Sequence, residues 1–153
     1  MDKTYADTVR LLLAVAPDVF ANDIFAMKGG TAINLFVRDM PRLSVDIDVV
    51  YLPWQTPRDE ALQAINQELA AIATRVAPLG VQTRLVRAKD LGDTKLIVEN
   101  DASQVKIEVN VVFRGSVLPV ERRPLSAKTS DLFGVEFELP VLAPDELYAS
   151  KLV

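Results

Sequence analysis

The stretch KGGTAINLFVRDMPRLSVDIDVVYL, residues 28–52, sets a glycine pair shortly ahead of an apolar, strand-like run that carries two acids. Its last part, VDIDVVY (45–51), alternates strictly, with Val45, Ile47, Val49 and Tyr51 at every second position. Successive side chains of a strand point to opposite faces. Asp46 and Asp48 therefore fall together on the other face, with Ser44 and Arg42 beside them if extended backbone reaches that far back. An unpartnered carboxylate is costly to bury, so this stretch predicts a sheet with one apolar and one polar face.

A later run repeats the plan. In QVKIEVNVVF (104–113), Val105, Ile107, Val109 and Val111 share one face, and Lys106, Glu108 and Asn110 share the other. If the two strands are neighbours, Asp46, Asp48 and Glu108 converge. Carboxylates so close repel strongly unless divalent cations lie between them. Mg²⁺ held by carboxylates and substrate phosphates is the usual resolution. Upstream, the Gly29-Gly30-Thr31 turn lets backbone approach a ligand closely, and the helix expected to follow offers unpaired N–H groups to phosphate. Alone, each piece is ordinary: a plain turn, a solvated strand face, an exposed Lys106–Glu108 pair, surface charges at Lys28 and Arg42. Their combination is not, because a solvated face requires neither a glycine turn upstream nor a third acid on a later strand. Phosphate-binding turn and acid cluster together point to a nucleoside triphosphate and its metals.

Around these motifs the pattern predicts an α+β chain. Residues 4–16 fit a helix with Tyr5, Val9, Leu12 and Ala16 on one side, and 24–28 a short strand. Residues 31–37 fit a helix ended by Pro41. The strongest helix has Thr56 as N-cap, Pro57 at the first helical position and Asp59 in its first turn. Leu62, Ile65, Leu69, Ile72 and Val76 form its apolar stripe, and Pro78-Leu79-Gly80 stops it. Strands are expected at 81–88, 94–99 and 104–113, joined as hairpins by DLGD (90–93) and NDAS (100–103). Residues 117–139 offer short extended pieces, and 144–153 begin another helix.

Composition limits the chemistry. The chain has 153 residues, enough for one domain with a real core, and contains neither cysteine nor histidine. Thiolate and imidazole chemistry are thereby excluded, leaving carboxylates, Lys, Arg, hydroxyls, amides and oxygen-bound hard cations such as Mg²⁺ or Mn²⁺. A net charge of −4 argues against a protein that simply coats nucleic acid, but not against an enzyme that grips one end of it. The basic clusters Arg84, Arg87, Lys89 and Arg122, Arg123, Lys128 suit solvated surface. No apolar run reaches transmembrane length, and MDKTYADTVR lacks the pattern of a signal peptide.

The succession GGTAINLF, RLSVDID, a helix, KIEVNVVF and finally DELYASKL (145–152) resembles the minimal nucleotidyltransferases of the AbiEii/AbiGii toxin type, in the polymerase-beta-like superfamily. The resemblance runs from about Phe25 to Leu152 and is best over 28–51. It implies a nucleotidyltransferase-like mixed β-sheet with helices on one face and an open polar catalytic face. By resemblance Asp46 and Asp48 match the metal-binding pair, and Glu108 the third carboxylate, where relatives more often have Asp. Gly29, Gly30 and Thr31 match the phosphate-holding turn, with Lys28, Arg42 and Ser44 beside the nucleotide, and Lys151 matches the late lysine facing the triphosphate. The implied reaction is Mg²⁺- or Mn²⁺-dependent transfer of NMP from an NTP such as ATP or GTP. Its acceptor would be a hydroxyl of RNA, such as a tRNA 3′ end, or of a protein. The implied role is a cytoplasmic toxin with an antitoxin partner and no membrane association.

Relatives continue beyond the last helix that begins here. The expected division is therefore a catalytic domain over 1–143 and, over 144–153, the start of a helical C-terminal region that is truncated. The alternative reading is a truncated, non-catalytic relative that binds a nucleotide or a partner. A metal-dependent glycosyltransferase also uses Asp-x-Asp, but needs a longer nucleotide-sugar domain ahead of the motif than this chain has.

Overall fold

The fold is given by a computed structural model, which describes residues 3–28, 47–53, 55–87, 93–101, 103–110, 115, 120–125, 127, 130–131, 134 and 138–142. Among them are two α-helices, α1 (Lys3–Val19) and α2 (Arg58–Val76). Seven strands accompany them: β1 (Phe25–Lys28), β2 (Ile47–Tyr51), β3 (Gln82–Val86), β4 (Asp93–Glu99), β5 (Gln104–Asn110), β6 (Glu121–Pro124) and β7 (Glu138–Val141). The strands form one mixed sheet in the order β3-β4-β5-β2-β1-β7-β6, giving the expected α+β class.

Local chemistry explains half of that order. β3, β4 and β5 make an antiparallel meander, as the turn residues predict. At the second turn the Ser103 N–H donates to Asn100 Oδ1 (2.8 Å) and the Asn100 N–H donates to the Ser103 carbonyl (3.0 Å). An Asn side chain that replaces a backbone partner in this way favours a tight turn. The other half is long-range. β2 lies parallel to β5, β1 antiparallel to β2, and β7 parallel to β1.

The strand alternation holds in the core. Ile47, Val49, Tyr51, Val105, Ile107 and Val109 are all buried. Leu85, Leu96, Ile107 and Ile47 form one register row across four strands. The helices cover this face, α1 with Val9, Leu12 and Ala16, and α2 with Ile65, Leu69, Ile72 and Val76, all buried. Each such Val, Leu or Ile side chain contributes about 1.5–3 kcal/mol relative to remaining exposed.

Several expectations need correction. α1 does not stop before Pro17 but runs to Val19. Proline removes only its own N–H, the Phe20 N–H still bonds the Ala16 carbonyl (3.2 Å), and Val19 and Phe20 are buried. At α2 the N-cap is Pro57 rather than Thr56, with φ −54°, ψ 149° and no side-chain cap bond. The Ala61 N–H closes the first turn on the Pro57 carbonyl (2.8 Å). The α2 stripe is also broader than predicted: Leu62 is only partly buried, whereas Ala61 and Glu68 are buried. Finally, Val50 and Ala26 are buried although they lie on the polar face. On this face β1 and β2 are polar at Lys28 and Asp48, but two residues along, at Ala26 and Val50, they are apolar and covered. The polar face is thus open over β3–β5 and closed towards β1.

Candidate active site

The parallel register of β2 and β5 sets Asp48 opposite Glu108. On the other side of β2, Asp48 is opposite Lys28, the last residue of β1. On the other side of β5, Glu108 is opposite Lys95 of β4. Register partners project to the same face. One row across four strands therefore reads Lys28, Asp48, Glu108, Lys95, with two carboxylates bracketed by two ammonium groups. All four are half-buried. Lys95 Nζ lies 3.6 Å from Glu108 Oε1, an ion pair with side chains 38% and 21% exposed. The next row on this face brings Arg84, Ile97 and Lys106 together.

Chain connectivity starts the 29–46 connection at Lys28 and ends it at Ile47, both beside the carboxylates. The residues of that connection, among them Gly29, Gly30, Thr31, Arg42, Ser44 and Asp46, lie outside the described residues, as does Lys151. So do the helices expected at 31–37 and 144–153, the basic residues Lys89 and Lys128, most of the DLGD turn, and 111–113. Of the ten site residues read from the sequence, the structure places three, Lys28, Asp48 and Glu108, and brings those three into one row. Sequence reasoning missed Lys95. The signal was present in TKLIVE (94–99), because once the 90–103 hairpins are drawn, alternation puts Lys95 on the face of Glu108.

A separate groove of about 480 Å³, lined by Leu62, Asn66, Leu85 and Arg87, lies between α2 and β3. Leu85 belongs to the helix-covered face, so this groove is on the opposite side of the sheet from the carboxylates.

A seven-stranded mixed sheet with two helices on one face is an α+β architecture consistent with a nucleotidyltransferase-like fold. The family comparison agrees: the model described as "Nucleotidyl transferase AbiEii toxin, Type IV TA system" matches residues 10–153, nearly the whole chain. The chain belongs to that family. That family is one of nucleotidyl transferase toxins, and the system to which such a toxin belongs includes an antitoxin. No curated protein and no solved structure matches the chain. No helix among the described residues is long and apolar enough to cross a membrane.

Whether these residues suit a divalent cation can be judged from the donor set. Among the described residues no group of three or more acids, histidines or cysteines is assembled to hold a metal. Asp48 and Glu108 supply oxygen donors from strands roughly 4.8 Å apart, within reach of one ion. A hard cation that keeps part of its coordination for substrate phosphates needs only one or two carboxylates. The pair fits such an ion, and does not amount to an all-protein cage.

Proposed function

We propose that the chain transfers a nucleoside monophosphate from an NTP to an acceptor hydroxyl of RNA or protein, as the cytoplasmic toxin of a toxin–antitoxin or phage-defence system. The observation that carries this reading is the Asp48–Glu108 register pair on the open face, within a chain of the AbiEii family. The acceptor oxygen forms a bond to the α-phosphorus, the bond from that phosphorus to the bridging oxygen breaks, and pyrophosphate leaves with the electron pair. Asp46, Asp48 and Glu108 would hold Mg²⁺ or Mn²⁺. When bound, the cation neutralises triphosphate charge and acidifies the acceptor hydroxyl.

The remaining roles belong to the chain. Glu108 would take the acceptor proton. Backbone amides of Gly29, Gly30 and Thr31 hold the β- and γ-phosphates, with Lys28, Arg42 and Ser44 around the nucleotide. Lys151 offsets charge on the departing pyrophosphate. The test is Mg²⁺-dependent incorporation of labelled NTP into total RNA and total protein. The wild type should label one of them, and Asp46→Asn should abolish the labelling. Unchanged labelling by Asp46→Asn would sink the assignment.

A further inference from the structure

The geometry points to Lys95 as a positioning residue for the carboxylate pair: its ammonium holds Glu108 on the β4 side and opposes a divalent cation bound between Glu108 and Asp48. This inference rests on the metal-site reading of those two acids.

Glu108 stands between two register partners, Asp48 on one side and Lys95 on the other. Its Oε1 already lies 3.6 Å from Lys95 Nζ. Repulsion from Asp48 and attraction to Lys95 act in the same direction, drawing the Glu108 carboxylate away from Asp48. Lys95 differs from an ordinary surface lysine because its position is fixed by the full β4–β5 ladder, which runs from Asp93↔Asn110 to Glu99↔Gln104. A divalent ion shared by Asp48 and Glu108 would lie beyond Glu108 from Lys95, about one and a half strand spacings from β4, and like charges at that range still repel. Without an ion, the same ammonium offsets the mutual repulsion of the acids.

Lys95 is therefore a resident counter-cation. It makes the bare protein a weak binder of free divalent ions. A triphosphate brings negative charge of its own, which relieves the repulsion between Lys95 and the ion. The cation is then expected to enter with the nucleotide rather than ahead of it.

Mn²⁺ binding to the full chain, without nucleotide, tests this by electron paramagnetic resonance or calorimetry. Lys95→Met should bind Mn²⁺ about three- to tenfold more tightly than wild type, and Lys95→Arg, which keeps a positive charge beside Glu108, should show no such gain. The gain should shrink in the Glu108→Gln background. A merely structural lysine would instead change thermal stability and leave Mn²⁺ affinity unmoved. If Asp48→Asn loses Mn²⁺ while Lys95→Met binds it no better than wild type, the role of Lys95 is overturned and the metal site stands. If neither wild type nor Lys95→Met binds Mn²⁺, or Asp48→Asn binds it as wild type does, the metal-site reading falls and Lys95 falls with it.

Discussion

Asp48 is tolerated in a strand as apolar as IDVVY because its neighbours Ile47 and Val49 take the buried face and leave it half-exposed opposite Glu108. That placement was legible in the sequence, since alternation alone separates the acids from the core. If the pair holds the reacting cation, Asp48→Asn should lower Mg²⁺-dependent NMP transfer by roughly two to three orders of magnitude, the several kcal/mol that a bound metal supplies. Its thermal unfolding should stay close to wild type, and a loss of activity that merely follows unfolding would count against the role. Glu68 was not legible. Arg75, two turns on in α2, supplies a charge, but the partners that complete the network lie far away in sequence. Glu68 accepts from Arg75 (2.6 Å) and from Asn22 Nδ2 (2.9 and 3.1 Å), and Arg75 also donates to the Asp18 carbonyl at the end of α1. Arg75→Met leaves that acid buried beside a weaker partner, so it should destabilise the protein by about 2 kcal/mol in urea unfolding. Stability equal to wild type would mean that the network does not tie the helices together.

At the scale of elements, what could be read depended on whether the signal was local. The α2 helix, its glycine stop and the β3–β5 meander all follow from nearby residues, and all are present. The stop shows the physics plainly. After α2, a short 3-10 turn (Ala77–Leu79) ends on Gly80 at φ 78°, whose N–H bonds the Ala77 carbonyl (3.0 Å). A Cβ at Gly80 would meet nothing within 4 Å, so the penalty for a side chain is backbone strain alone. Gly80→Ala is expected to cost about 1 kcal/mol in denaturant unfolding, and an unchanged midpoint would contradict the strain argument. By contrast, nothing near residues 138–141 announces a strand that lies parallel to β1, held by the Met27↔Val141 pairing and the bond from the Leu142 N–H to the Met27 carbonyl (3.1 Å). Parallel neighbours are chosen by tertiary packing and leave no turn signature. The buried Val50 has the same origin: its burial follows from where β2 sits in the sheet, not from its place in VDIDVVY.

For the molecule as a whole, the sheet order puts the functional row on its central strands, β1, β2, β5 and β4, with β3 and β6 at the edges of the described sheet. A site built on interior strands is held by the most protected hydrogen bonds. Amides of β5 and β2 should therefore exchange slowest, and those of β3 and β6 fastest; faster exchange in β2 than in β3 would show that the carboxylate pair sits on a loose element. The family and the general chemistry were legible because the glycine turn, the two acids and the later acid occur in order along the chain. The pairing of Asp48 with Glu108 could only be conditional, because whether β2 and β5 are neighbours is settled by packing. A double-mutant cycle probes whether the two paired acids serve one centre. The rate of Mg²⁺-dependent NMP transfer should be measured for Asp48→Asn, Glu108→Gln and the double variant. Residues that serve one centre lose little more together than singly, so the double variant should fall close to the worse single variant. Losses that simply multiply would mean that the two acids act independently.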